Sequence, residues 1–328
     1  MTGPAFRPAT ILAIADGAHG ADALRAAAAL CARHGASLEI MTCAEPPRDL
    51  ETLSRLSRRS PQALIDLFSA DRRQAIKARV VEALPDFEAE IHVAVGKAFI
   101  EIIRHAQAVG ADMVVKAGEP VTGVNRFLFS STDQHLLRKC PCALWLHGTP
   151  GPAAPRRVIA AVDVDTWDAA EPETLTALNR RVIETARAVA APDAEVIALH
   201  AWDAAGEGAV WAFSDAKDGR KAAHAYVREM RQMRDAALHD LVAPFDHAPP
   251  VIPRLVRGAP EQVIAQTADA LDADAVVMGT IARTGLGGVI IGNTAENTIN
   301  ALGRSVIAVK PEGFVSPITP LGNRRRRA

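Results

Sequence analysis

The chain has 328 residues, 49% of them hydrophobic, enough to build two buried cores rather than one. Acids and bases are interspersed and nearly balance at a formal net charge of −1, which leaves no global field to draw the chain toward nucleic acid or an anionic membrane. Cys31, Cys43, Cys140 and Cys142 lie in apolar stretches without CxxC pairing, so they read as reduced, buried thiols and not as a disulfide framework or a zinc site. Only a five-residue apolar run precedes Asp16, too short for a signal-peptide core, and no stretch reaches membrane-spanning length. The expectation is a soluble, cytoplasmic protein.

The first element is TILAIAD, an apolar run closed by Asp16 where a strand should hand over to a loop. A helix-sized stretch at 50–84 carries Leu64, Ile65, Leu67 and Phe68 on an apolar face. Gly96 is followed by KAFIEIIRHAQAVGADMVV, with MVVKA and CALWLH as later strands. The segment 149–157, TPGPAAPRR, is rich in Pro, Gly and Ala between two strands and reads as a linker, with the boundary near Pro152. RVIAAVD then ends at Asp163, and Leu175, Leu178, Val182, Ala186 and Val189 recur at helical spacing. VIALHAW and VIPRLVRG read as strands, and a second helix-sized stretch at 222–244 carries Val227, Met230, Leu238 and Leu241. Gly258 is followed by APEQVIAQTADALDADAVV; AVVMG at 275–279 and SVIAVK at 305–310 are dense in β-branched residues, as doubly covered parallel strands require.

These elements form a duplication. Asp112 and Asp274 each lie 16 residues beyond their glycine, an offset of 162, whereas Asp16 and Asp163 are offset by 147. The difference means that the second copy has gained a net 15 residues between its first strand and the shared helix, part of them in VDTWDAAEPETLTALN. Strand and helix alternate through each copy, which predicts an α/β fold of two tandem, doubly wound, five-stranded parallel-sheet domains. The expected division is 1–150, a linker at 151–157, 158–313, and a basic tail at 314–328.

Ligands of open parallel sheets bind beyond the carboxyl ends of the strands, near the switch in strand order. In the second copy that edge presents Asp163 and Asp165, and the loop GTIARTGLGGVIIGNTAEN at 279–297. Gly279, Gly285, Gly287, Gly288 and Gly292 leave room for close backbone approach, and Asn293 and Thr294 would start a helix whose N–H groups favour a phosphate.

This arrangement resembles the universal stress protein family, whose nucleotide-binding members carry G-x2-G-x9-G-[S/T] after strand four and an aspartate at the end of strand one. The resemblance covers nearly the whole chain, twice, and implies an adenine-nucleotide α-hydrolase-like fold. It places Asp163 at the adenosine-recognising aspartate, Gly279 and Gly292 at the first and third motif glycines, and Ala295-Glu296 at the opening of the last helix. Two positions depart from the pattern: Ala282 stands for the second glycine and Asn293 for the hydroxyl residue, with Thr294 one place later. In the first copy Asp16 is present, but Ala117, Pro120 and Ser130 replace the three glycines, with Ser131 and then Thr132 at the hydroxyl position, so a phosphate cradle is not expected there. The pairing of a degenerate first loop, STDQHLLRKCP, with a second reading RTGLGGVIIGNTAEN is similar to the tandem, two-domain E type of that family. Such proteins are regarded as stress-response factors without an assigned reaction. Family members commonly dimerise through the fifth strand, which implies that CALWLH and SVIAVK pair within this chain as an intramolecular pseudo-dimer; further self-association stays open.

No catalytic constellation emerges: there is no HExxH or other metal-ligand grouping of histidines, no GxSxG elbow and no P-loop lysine. Arg283 is a candidate phosphate contact or a solvated side chain. Cys140-Pro-Cys142 is assigned to packing, and Arg220, Lys221, Arg228, Arg231 and Arg234, mixed with Glu229 and Asp235, to a solvated helix face. The run Arg324 to Arg327 reads as a solvated tail. Three functions follow from these residues: a stress-associated binding or regulatory factor, an ATP-binding protein with slow hydrolysis or autophosphorylation, and a carrier of an apolar or lipid-like ligand lined by the two helix-sized stretches. Any ATP or other adenine nucleotide is expected in the second domain alone.

Overall fold

The computed structural model describes residues 6–46, 49–85, 87, 90–119, 130–148, 150–213, 218–247, 249–280 and 293–320. Its first half runs β1 (Thr10–Ile14), α1 (Gly20–His34), β2 (Ser37–Ala44), α2 (Leu50–Ser57), α3 (Pro61–Ala83), β3 (Ile91–Val95), α4 (Ala98–Val109), β4 (Met113–Ala117), α5 (Ser131–Lys139) and β5 (Ala143–His147). The second runs β6 (Arg157–Ala161), α6 (Pro172–Val189), β7 (Glu195–Trp202), α7 (Glu207–Phe213), α8 (Gly219–Val242), β8 (Val251–Arg257), α9 (Pro260–Ala270), β9 (Ala275–Gly279), α10 (Asn293–Ala301) and β10 (Ser305–Val309). Among the described residues no helix is long and apolar enough to cross a membrane.

The ten strands among the described residues join one sheet in the order β3-β2-β1-β4-β5-β10-β9-β6-β7-β8. Within each half the pairs are parallel, and the order turns back at β1/β4 and at β6/β9. The halves meet through β5 and β10, which run antiparallel with Leu144, Trp145 and Leu146 opposite Ala308, Ile307 and Val306. Both fifth strands are therefore interior strands, as expected of an internal pseudo-dimer.

Burial follows this order. The central strands β4, β5 and β10 are buried along their whole length, whereas β3 and β8, at the two edges, mix buried and exposed positions. Pro253 sits in β8, where a missing N–H removes no ladder bond on the open side. One apolar layer packs α1, α3, α6 and α8 on the sheet through residues such as Leu24, Ile76, Val182 and Leu238; the other packs α4, α5, α9 and α10 through Ile102, Leu136, Val263 and Ile299.

The duplicated residues have structural work. Asp112 accepts the N–H groups of Ala9 and Thr10 at 2.7 and 3.0 Å, and Asp274 those of Arg156 and Arg157 at 2.7 and 3.0 Å, so each ties the start of its half's first strand to the start of its fourth. Gly96 and Gly258 leave β3 and β8 at φ of 150° and 146°, a region that favours glycine.

At the junction α5 and α10 flank a small cleft lined by Gln134, Leu137 and Arg138 on one side and Glu296, Ile299 and Asn300 on the other. Arg138 bridges it to Glu296 at 2.5 Å. Lys310, just past β10, is buried and donates to the carbonyl oxygens of Leu137 and Arg138 at 2.5 and 3.4 Å, near the C-terminal end of α5 where a positive charge complements the helix dipole. Gly148, just past β5, donates its N–H to Ser305 Oγ at 2.9 Å and lies so close that a Cβ would come within 2.6 Å of the Arg304 backbone.

Candidate functional site

In the second half the chain leaves β6 through Val162, Asp163, Val164 and Asp165, at the carboxyl end of the sheet. Asn179 of α6 is buried there and binds the backbone of Asp163 twice, accepting its N–H at 3.0 Å and donating to its carbonyl oxygen at 2.7 Å. The Asp163 carboxylate accepts the N–H of Asp165 at 3.1 Å, which tightens the turn and aims Asp165 inward. Asp165 then forms an ion pair with Arg234 of α8, whose Nε lies 2.8 Å from Oδ1 and whose Nη2 donates to Oδ2 at 3.3 Å. His200 of β7 brings Nε2 to 3.5 Å from Oδ1 of the same carboxylate, while its Nδ1 donates to the Val162 carbonyl at 3.2 Å. Two indoles hold the guanidinium, with Trp167 and Trp202 centred 5.1 and 5.5 Å from its carbon. Burial by itself raises the Asp165 carboxyl, but the hydrogen bond and charge of His200, then those of Arg234, outweigh it and hold the group below its ordinary value.

Two expectations change here. Arg234 is not on a solvated face: it is 7% exposed, because it precedes the buried Leu238 and Val242 by one and two helical turns and shares their stripe. His200 does enter a ligand-type grouping, since one ligand atom each from Asp163, Asp165 and His200 lie within 4.8 Å of one another. The positive charge that such a group attracts is supplied by Arg234.

The first half repeats the device with different residues. Asp16 follows β1, and its Oδ1 takes Arg72 Nη2 of α3 at 2.5 Å together with the hydroxyl of Thr42. Arg72 Nε also donates to Thr42 Oγ1 at 3.0 Å, and the Cys43 N–H donates to the other Asp16 oxygen at 3.0 Å. Arg72 precedes the buried Ile76 and Val80 as Arg234 precedes Leu238 and Val242, and all three pairs differ by 162. The repeat offset was thus the signal that would have singled out both arginines.

The fourth-strand ends differ between the halves. Gly279 closes β9, and a Cβ there would come within 2.5 Å of Leu178 Cδ2, so any larger residue would have to displace that side chain of α6. Asn293 and Thr294 open α10, whereas their side chains, and Ala282, Arg283, Gly285, Gly287, Gly288 and Gly292, lie outside the described residues. So do Pro120 and the tail at Arg324–Arg327.

In the first half Ser131 and Thr132 open α5, but the cap is Ser130, whose Oγ accepts the Asp133 N–H at 3.3 Å. Asp133, fully buried, pairs with Lys116 of β4 at 3.0 Å and accepts the Glu119 N–H at 3.1 Å. Burial pushes its carboxyl up against the opposing pull of Lys116. At the offset of 162, Met278 and Ala295 occupy the same two positions in the second half. An internal ion pair in the first half thus stands where the second half places two buried apolar residues.

Comparison with known proteins is consistent with this layout. The model of the Universal stress protein family matches residues 9–146 and again 156–310. Universal stress protein E of Salmonella typhi is 27% identical over 237 residues, 67% of each chain. The universal stress protein E homolog of Haemophilus influenzae is 25% identical over 275 residues, 75% of this chain and 81% of its own. In fold, the chain is similar to a Pseudomonas aeruginosa PAO1 protein described as functionally unknown, with a TM-score of 0.64 at 22% identity over 94% of both chains.

Proposed function

This chain belongs to the universal stress protein family, and from that premise we propose that it is a stress-response regulatory factor whose two ligand edges are closed from within by arginine. The observation that carries the reading is the pair of contacts Arg72–Asp16 and Arg234–Asp165, made by equivalent helices at equivalent strand ends. A base at a sheet edge must be free to take a proton or hold a metal. Asp16 and Asp165 are instead spent on guanidinium groups, which favours a regulator over a hydrolase or an autophosphorylating enzyme.

Adenine nucleotide remains the ligand that the second edge would take, through Asp163, Gly279 and the start of α10 at Asn293, once Arg234 withdraws. The apolar-carrier reading finds no comparable support. Leu64 and Leu238 are consumed by the core, and Leu67 and Phe68 turn outward.

Titration with a fluorescent ATP analogue tests the proposal. Wild-type protein should bind weakly, Arg234→Ala should gain affinity on the order of tenfold, and Arg72→Ala should gain nothing because Ala117, Pro120 and Ser130 stand where the motif has glycines. Arg234→Met, which keeps most of the stem, serves if the alanine variant is too unstable. Tight binding by wild type, or no gain with either substitution at 234, would mean that Arg234 does not guard the edge.

A further inference from the structure

The four thiols are of two chemical kinds. Cys31 donates to the Ser37 carbonyl at 3.6 Å and Cys43 to that of Ala98 at 3.8 Å. Burial pushes the first up to about 11 and the second up to about 12, so both stay protonated and inert.

Cys140 and Cys142 are placed differently. Cys140 caps α5 in an extended conformation, φ −63° and ψ 131°, and Pro141 and Cys142 lead from it into β5. Residues two apart in extended chain point to the same side, and the two sulfurs accordingly lie 3.7 Å from each other. Cys140 is fully buried, whereas Cys142 keeps some exposure, which gives the pair an open side. Lys310 arrives from the second half at the last turn of α5, its ammonium on the carbonyls of Leu137 and Arg138. The hydrogen bond from Cys142, with the Lys310 charge adding to it, lowers the Cys140 thiol despite its burial.

We propose that Cys140 and Cys142 form a reversible dithiol–disulfide site whose oxidant is a hydroperoxide. The Cys140 thiolate attacks one oxygen of hydrogen peroxide; the O–O bond breaks, leaving sulfenic acid on Cys140 and hydroxide, which takes up the proton that Cys140 gave up and leaves as water. The Cys142 sulfur then attacks the Cys140 sulfur, the S–S bond forms, and the sulfenic hydroxyl leaves as a second water with the Cys142 proton. Two thiols and one peroxide give one disulfide and two waters, the sulfurs losing two electrons and the peroxide gaining them. The sulfurs must close from 3.7 Å to a bond of about 2.05 Å. Bridging residues two apart makes a tight ring, and strained disulfides are readily reduced, so a small thiol restores the pair. Because the cysteines belong to the first half and Lys310 to the second, the reactivity of the site depends on the closed β5–β10 junction.

The test uses full-length protein exposed to hydrogen peroxide, denatured, blocked with N-ethylmaleimide and mapped by peptide mass spectrometry. The peptide spanning residues 140–142 should be lighter by two hydrogens and unblocked, Cys31 and Cys43 should be blocked, and dithiothreitol should restore all four thiols. Cys142→Ser should abolish the loss of two hydrogens and leave Cys140 as sulfenic or sulfinic acid. Lys310→Met should slow disulfide formation roughly threefold to tenfold by weakening thiolate formation. The proposal is overturned if wild-type Cys140 and Cys142 both remain blocked at a peroxide dose that oxidises free cysteine. It fails equally if the disulfide joins two chains or involves Cys31 or Cys43. The wild-type map decides the matter by itself should a variant fail to fold.

Discussion

Replacing Arg234 by alanine should destabilise the chain far more than the matching change at Arg72, although both remove an arginine from an aspartate just beyond the first strand of its half. The Arg234 and Asp165 side chains are 9% and 12% exposed, so the substitution strands a carboxylate away from water. Breaking a buried pair costs about 3–5 kcal/mol. His200 stays 3.5 Å from Asp165 and retains part of the compensation, which points to the lower end, about 3 kcal/mol. The Arg72 and Asp16 side chains are 36% and 15% exposed, and Asp16 keeps Thr42 and the Cys43 N–H; water replaces the guanidinium for about 1 kcal/mol. Urea unfolding of the two variants measures the contrast. A cycle with Asp165→Asn should return a coupling of about 1–3 kcal/mol for the 234–165 pair. Equal costs at 72 and 234, or a loss below 1 kcal/mol at 234, would refute the argument that burial sets the strength of the second latch.

Asp133→Ala should cost about 3 kcal/mol by leaving Lys116 buried against a lost partner, whereas Lys116→Met with Asp133→Ala, which copies Met278 and Ala295, should be neutral or stabilising in thermal unfolding. Gly279→Ala should destabilise by about 1–3 kcal/mol with no ligand present, since its Cβ meets Leu178 at 2.5 Å, and Leu178→Ala should relieve the effect. His105 stacks on His92 with ring centres 4.0 Å apart, and burial brings it down to about 4. Between its unfolded value near 6.5 and about 4 the unfolded chain takes up a proton that the native chain refuses, so stability should fall as pH falls through that window. His105→Gln should flatten that part of the stability–pH curve.

The strands were legible because their signal is local: runs such as AVVMG and SVIAVK are buried on both faces and read so directly. The acids at the strand ends were legible for the same reason, as polar residues closing apolar runs. Their partners were not. Arg234 contacts an aspartate 69 residues earlier, and whether a helical arginine faces water or core depends on its register with Leu238 and Val242, which composition alone obscures. Gly279 reads in sequence as a place for a ligand's close approach, and the structure adds a neighbour, Leu178, that is visible only once α6 is laid on the sheet. Cys140 and Cys142 do pack in the apolar layer, as their neighbours indicate, but a run of apolar residues does not reveal which buried amine approaches from the other half of the chain.

Gly148 and Lys310 occupy equivalent places just beyond β5 and β10, 162 residues apart, yet one lets two backbones touch and the other crowns a helix with a charge. Two identical subunits across a twofold axis must put the same side chain at both ends of their contact, so a lysine suited to one end would be driven into the backbone at the other. A single polypeptide that contains both halves escapes that constraint. Joining both halves in one chain therefore frees each end of the seam to be optimised alone, and gives the β5–β10 contact a polarity that no homodimer can possess.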